Sequence, residues 1–456
     1  MLVVWICALA SASEAVDKEQ EGPSFFAGSY GRVQVSSDLE GGGGDPVRVA
    51  TYAPRLELDP YLELDLGWVA PLETGAEFTV VVTPALSGEL FHYSGEWGGE
   101  ELTLRNLYVQ AALPSAPLEV WAGSRMYRGD DVYLLDFWPM DEINTVGGGA
   151  FLRPGRTEIA VHAGGNRLVG EDWQVQWVEV AAPDNVTGET VLALDRQRAI
   201  ASARLSHHIE RGQVTLRPRL YAEVHRVPEG SRWVQDAFAE PATETLPADD
   251  GVLVGAQFSA WGWSPDAFAH AWVTYSTGLA AYGELAIPVT GFATDYRVRK
   301  AHALLVAVAG NQESDRFGFV WGGYARYFVD ADGIRIDFDD RWEIVVAGRP
   351  QLFLGEHVAL GLEASHQHVR PNGLNPRTDE HDVAGVTKIS VLPAIQTAPG
   401  SFSRPRLHVI YTASLLGDGA RAFYAPDDVR IHDGIQHYVG VGAEWWINSQ
   451  RAVVPR

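Results

Sequence analysis

The chain has 456 residues, with 35 Lys and Arg against 59 Asp and Glu, a formal charge of −24. Nucleic-acid binding needs clustered cationic side chains to meet phosphates, so this balance excludes that class. Aromatic residues make up 11%, Gly reaches 47, and the only cysteine is Cys7; this favours pleated strands over helices and leaves no disulfide framework or thiolate metal site.

Met1–Ala15, MLVVWICALASASEA, joins the short apolar run Leu2–Ala10 to small-residue cleavage sites at Ala10-Ser11-Ala12 and Ser13-Glu14-Ala15. It reads as a signal peptide, although no Lys or Arg precedes the run, and residues 16–456 then read as one domain. A spanning helix needs about 20 apolar residues, and nowhere does the chain have even 18 in succession, so a helical membrane protein is excluded. A protein that crosses with strands is not.

From residue 24 onward the chain alternates with period two between Gly- and Pro-rich intervals. Tyr61-Leu62-Glu63-Leu64-Asp65-Leu66 sets three leucines on one face and Tyr, Glu and Asp on the other. Arg219–His225, Ile334–Asp339, Leu407–Val409 and Val439–Ala443 repeat the scheme. Strands of this kind bury one face only. Either a soluble all-β core or a barrel in lipid with a wet lumen satisfies the pattern. The charge on the polar faces favours the barrel, as do Trp residues at predicted strand ends: Trp68, Trp121, Trp261, Trp263, Trp342 and Trp445-Trp446 read as interfacial girdles. Gly41–Gly44, Glu96–Glu100, Pro183–Glu189, Pro228–Asp250 and Pro371–Glu380 are the expected long loops; Glu210–Gly212 and Asp330–Gly333 are the expected short turns. At that spacing the chain makes roughly 16 to 18 strands, enough for an aqueous channel. No fixed-period repeat is present, which argues against a propeller.

The stretch Leu104–Gly149 carries Trp121-Ala122-Gly123-Ser124-Arg125, Tyr127, Asp131-Val132, Asp136-Phe137, Asp141 and Gly147–Gly149. It resembles the central region of maltoporins. Tyr30-Gly31-Arg32, Tyr61–Gly67, Ser403-Arg404-Pro405 and Gly442–Trp446 resemble other parts of that family. The resemblance is scattered over most of the chain, sharp in Leu104–Gly149 and vague between residues 170 and 380. It implies an all-β fold: a transmembrane antiparallel β-barrel of about 18 strands in the outer membrane of a Gram-negative bacterium. It further implies a homotrimer in outer-membrane lipid, with an inward-folded constriction loop at Arg128–Gly149. The family's solutes are oligosaccharides, which it guides along an aromatic slide and a polar track. Carried over by position, the slide is Tyr30, Tyr61, Trp97 and Trp138, with Trp445 and Trp446 at the exit. The polar track is Arg32, Arg55, Glu63, Arg105, Arg128, Asp131 and Asp136. Charged groups on the lipid face would cost about 2–4 kcal/mol each at the midplane, which turns these side chains inward if the strands span.

The sequence departs from the family pattern where the pore is narrowest. Gly129 stands at the constriction arginine, with Arg128 beside it, and Trp138 stands at the pinching tyrosine. Ile395 replaces a late slide aromatic, and about ten residues follow Trp446. These changes keep alive a same-fold porin for another solute, such as sucrose, a β-glucoside or small anions. A secreted, soluble all-β carbohydrate-binding protein is the reading from another class. Nothing points to an enzyme, a metal or a cofactor: His207-His208 and the His366/His368 pair lack a third ligand of suitable spacing, and no Gly-x-Ser-x-Gly elbow or Gly-Lys-Ser/Thr loop occurs.

Overall fold

A computed structural model describes residues 23–57, 59–88, 101–113, 116–166, 176–179, 190–193, 197–234, 242–283, 295–331 and 338–447. Long period-two segments become the staves of one sheet. Its first six strands are β1 Ser24–Ser37, β2 Tyr61–Pro71, β3 Glu77–Ser87, β4 Glu101–Leu113, β5 Leu118–Arg128 and β6 Glu142–Leu152. Next come β7 Thr157–Asn166, β8 Arg198–His207 (continued by Ile209–Arg211), β9 Val214–Val227, β10 Asp249–Trp261, β11 Phe268–Gly278 and β12 His302–Glu313. The last six are β13 Phe317–Val329, β14 Arg341–Phe353, β15 Val358–Pro371, β16 Ala384–Gln396, β17 Arg406–Leu416 and β18 Ile435–Ile447. Each strand pairs antiparallel with the next, and β18 returns to β1 from Ser29↔Ile447 to Ser37↔Val439. The sheet is therefore a closed barrel of 18 strands without a free edge.

Alternation decides which side chains face in. On β9, Arg219, Tyr221, Glu223 and His225 are buried inside the barrel, while Leu220 and Val224 are exposed outside it. The same outer band continues through Leu304, Val306 and Val308 of β12 and Ile344 and Val346 of β14. A continuous apolar outer surface around charged inner faces suits lipid outside and water inside. The start of β1 and the end of β18 lie at the rim that carries short turns, such as Leu72–Ala76 and Arg153–Arg156. The opposite rim carries the long connections, two of which hold hairpins of their own, Gln176–Glu179 with Thr190–Ala193 and Gly230–Val234 with Ala242–Leu246.

Two expectations need correction, and another lies partly outside the described residues. In the expected short turn Asp330–Gly333, residues 332 and 333 lie outside the described residues; the connection between β13 and β14 runs from residue 330 to residue 340 on the long-loop rim. Of the predicted strand Ile334–Asp339, residues 334–337 lie outside the described residues, and Phe338 and Asp339 are not in a strand. Among the girdle tryptophans, Trp68, Trp263 and Trp342 are exposed, but Trp121 and Trp261 are buried on the inner face. Their parity on β5 and β10 turns them toward the lumen.

Two of the connections on the long-loop rim fold inward against the lumen wall. Residues 129–141, between β5 and β6, bury Val132, Leu134, Phe137 and Met140. They lie against Trp272 of β11, Leu305, Ala307 and Ala309 of β12, Tyr324 of β13, and Val345 and Ala347 of β14. Strand glycines make the seats: a Cβ on Gly322 would lie 2.6 Å from Val132 Cγ1, and one on Gly255 2.7 Å from Met140 Sδ. The second inward segment, described over residues 38–57 and 59–60 between β1 and β2, has no counterpart in the sequence reading, which gave Gly41–Gly44 only as a loop. Its Val49 N–H donates to Gln367 Oε1 at 2.9 Å, and its Thr51 hydroxyl to Glu343 Oε1 at 2.7 Å. A buried ion pair, Lys388 to Glu57 at 2.5 Å, fixes its far end.

Candidate functional site

The register of β2, β1 and β18 sets two parallel rows of side chains on the inner wall. Tyr61, Arg32 and Glu444 are directly opposite one another, and so are Glu63, Tyr30 and Trp446. Along each strand a ring and a charge stand two positions apart, Tyr61 with Glu63, Tyr30 with Arg32 and Trp446 with Glu444, because lumen-facing positions recur every second residue. The rings of Tyr30 and Tyr61 lie 5.8 Å apart, tilted by 46°. Arg32 Nη1 and Arg55 Nη2 both donate to the Tyr30 hydroxyl at 3.0 Å. The Tyr61 hydroxyl donates to Glu63, and Arg105 Nη1 reaches both of them. Two guanidiniums, those of Arg32 and Arg105, each lie 5.3 Å from the Tyr61 ring centroid.

Arg105 reaches this place through a bulge. The pairing of β3 with β4 passes from Thr83↔Asn106 to Pro84↔Leu104, leaving Arg105 as the extra residue. A bulge bends the strand and re-aims that side chain, here along the wall toward β2. Asp65, two residues beyond Glu63, extends the polar line and accepts from the Thr83 hydroxyl at 2.7 Å.

The inward loops close over the rows. Arg55, from residues 38–60, pairs with Asp136 at 3.4 Å and Glu444 at 3.5 Å, and its backbone N–H donates to Leu134 O at 3.0 Å. Asp136 sits at φ 52°, a left-handed conformation that turns its carboxylate toward Arg55. Burial pushes the Asp136 carboxyl up, but Arg55, Arg32 and Arg128 outweigh burial and hold it below the ordinary carboxylate range. At the base of the same loop, Asp130 accepts from Arg217 and from Gln257 Nε2, the latter at 2.6 Å.

Of the predicted residues, Tyr30, Tyr61, Arg32, Arg55, Glu63, Arg105, Asp136 and Trp446 come together on one stretch of wall. Arg128 and Trp138 form a separate pair at the loop's root: the guanidinium lies 3.7 Å from the ring centroid and 3.6 Å from Glu142. Asp131 is buried within the loop. Trp97 lies outside the described residues. Trp445 is corrected, since neighbours on a strand point to opposite faces. With Trp446 inside, Trp445 is outside, where its ring covers Gly31 and its Nε1–H donates to Ser29 Oγ at 3.1 Å.

Sequence reasoning missed several lumen residues. Trp446 is extended by Tyr133, 6.3 Å away and edge-on, and by Phe402, 6.4 Å away and stacked. Tyr52 of the unanticipated inward segment stacks on Phe137 at 3.7 Å and meets Tyr324 at 5.4 Å. Arg404 lay in a quoted motif without a role; it donates to Glu444 Oε2 at 2.7 Å and to the Tyr133 hydroxyl at 2.8 Å. For Arg349 and Arg406 the sequence offered only inward parity, a property shared with many other charges.

Among solved structures, the chain is similar to OmpT of Vibrio cholerae (trimer form) at 10% identity and a TM-score of 0.44, covering 93% of this chain and 99% of that one. It is also similar to OccAB2 of Acinetobacter baumannii, at 8% and 0.48 over 93% and 98%, and to OccAB1 of the same organism, at 10% and 0.47 over 95% and 100%. No curated protein matches the sequence significantly. The family model described as LamB porin matches residues 26–446. A closed 18-strand barrel with an apolar outer belt, a charged lumen and that match leave one conclusion: this chain belongs to the LamB porin family and is an outer-membrane pore.

Proposed function

We propose that this porin conducts oligosaccharides of the maltodextrin type by facilitated diffusion, working as a homotrimer whose residues 1–15 serve as the export signal. The observation that carries the reading is the pair of rows Tyr61–Arg32–Glu444 and Glu63–Tyr30–Trp446 on the lumen wall. A pyranose has two apolar faces and a rim of hydroxyls. Rings on the wall meet the faces, and the charges between them exchange hydrogen bonds with the rim. Neither contact holds tightly, as conduction requires binding strong enough to draw the solute in and weak enough to release it. Millimolar sites, on the order of 4 kcal/mol, satisfy both demands.

The test is sugar block of single-channel current in a planar bilayer. Tyr61→Ala removes the ring, whereas Tyr61→Phe removes only the hydroxyl shared with Glu63 and Arg105. Loss of about 1 kcal/mol of stacking corresponds to a roughly fivefold weaker block for the Ala variant, with the Phe variant between it and the parent. Maltodextrin block that is absent from the parent protein, or unchanged in Tyr61→Ala, would remove the sugar slide from this wall.

A further inference from the structure

Beside the aromatic rows, and sharing Arg32 and Glu444 with them, the lumen wall encloses a cleft of about 50 Å³. It is lined by five arginines, Arg32, Arg55, Arg349, Arg404 and Arg406, and by one carboxylate, Glu444. Two more carboxylates reach these arginines: Glu363 holds Arg349 at 2.7 Å, and Asp136 holds Arg55 at 3.4 Å. Even with both counted, two positive charges remain in excess, inside a chain whose formal charge is −24. Such a local reversal in a partly dry site raises the concentration of anions there.

Arg406 shows where the excess resides. It is 3% exposed and makes one hydrogen bond, from Nη1 to Gln351 Oε1 at 3.2 Å. Its Nε and Nη2 have no acceptor among the described residues. Nε and Nη2 form the side edge of the guanidinium, two parallel donors whose spacing matches the two oxygens of a carboxylate. A buried guanidinium without a counter-charge is costly, and a carboxylate on the solute would relieve that cost. Size agrees: a water needs about 10–15 Å³ of such a cavity, so the cleft accepts a carboxylate but not a pyranose ring. Arg32 and Arg55 line the cleft and also hold the Tyr30 hydroxyl, so a ring stacked at Tyr30 would present its substituent to these arginines.

We infer that, among the saccharides this pore conducts, those that carry a carboxylate, such as uronic-acid oligomers, bind more tightly than neutral maltodextrins, and that the Arg406 cleft is the subsite for that group. The inference rests on the sugar-porin reading and refines its solute class. It is tested by the concentration of trigalacturonate and of maltotriose that half-blocks single-channel current. In the parent protein, trigalacturonate blocks at a concentration at least tenfold lower. Arg406→Gln brings the two close together by weakening trigalacturonate while leaving maltotriose unchanged, and Arg406→Lys, which keeps charge but not the paired edge, falls between them. Equal block of the parent protein by both sugars overturns the subsite without recourse to any variant; so does a ratio that survives Arg406→Gln. If neither sugar blocks, the sugar reading fails, and the reversal potential in a potassium galacturonate gradient then judges the cleft alone. A galacturonate-to-potassium permeability ratio that falls at least fivefold in Arg406→Gln upholds an anion subsite, and an unchanged ratio overturns it.

Discussion

Single residues on this wall take their roles from parity more than from chemical type. Trp445 and Trp446 are identical side chains one position apart, yet one lies under lipid and the other beside Tyr133 and Phe402. The sequence could not separate them, because parity on β18 is fixed only by the register that closes the barrel, Gly31↔Trp445 and Tyr30↔Trp446. The two rings should accordingly fail in different assays. Trp446→Ala should weaken sugar block several-fold with little change in heat stability. Trp445→Ala should leave block unchanged and lower the unfolding temperature, since it uncovers Gly31 and the Ser29 hydroxyl at the β1–β18 closure. Equal effects of both on block would show that the assignment of faces is wrong. Arg105 makes a related point. Its inward direction depends on a bulge, which period-two reading cannot place, although the residue itself was legible from its motif.

Elements of the lumen divide between those the sequence announced and those it did not. An inward loop follows the family motif, but it is shorter than the expected Arg128–Gly149, because Arg128 ends β5 and Glu142–Gly149 belong to β6, leaving residues 129–141. The segment around Val47–Glu57 also folds inward, and there the sequence offered no period, only scattered Val47, Val49 and Ala50 among turn residues. Both depend on polar anchors as well as apolar seats, and Asp130 is the deepest anchor. Burial alone would raise its carboxyl, but Arg217, Arg219 and His270 outweigh burial and hold it below the ordinary range. A carboxyl depressed in the folded state contributes stability that is complete above its unfolded value of about 3.9 and is lost only as pH falls through the lower folded value. The loop should therefore stay seated, with steady open-channel current, from neutral pH down to about pH 4. Further down, as pH falls through that depressed folded value, protonation of Asp130 leaves two guanidiniums facing each other, and the current should begin to flicker. Asp130→Asn removes the charge at every pH and should flicker already at pH 7, since breaking one side of a buried ion pair costs on the order of 3–5 kcal/mol. Flicker that sets in near pH 6, or a quiet Asn variant, would mean that something other than Asp130 seats the loop.

At the scale of the whole molecule, one feature explains both what the sequence disclosed and where it fell silent. Where the inner face is polar, as in β2 and β9, alternation is clear and the strands are legible. In β12 and β14 the inner face is a seat for the inward loops, so Leu305, Ala307, Val345 and Ala347 inside are interleaved with Leu304, Val306, Ile344 and Val346 outside. Both faces are then apolar and period two vanishes in those strands. Hydropathy cannot tell these faces apart, but lipid can. Val306, near the middle of β12 and exposed outside, should tolerate no charge: Val306→Arg should cost about 2–4 kcal/mol in refolding titrations in lipid vesicles. Gln34→Arg puts the same charge on the lumen face of β1, where Gln34 already meets the Tyr438 hydroxyl and His408. It should cost under about 1 kcal/mol and shift the channel toward anions, because lumen substitutions tune selectivity while lipid-face charges tune stability. If Val306→Arg refolds like the parent protein, the band of Leu304, Val306 and Val308 does not face hydrocarbon. The barrel's depth in the membrane would then have to be reassigned, although its 18-strand closure would stand.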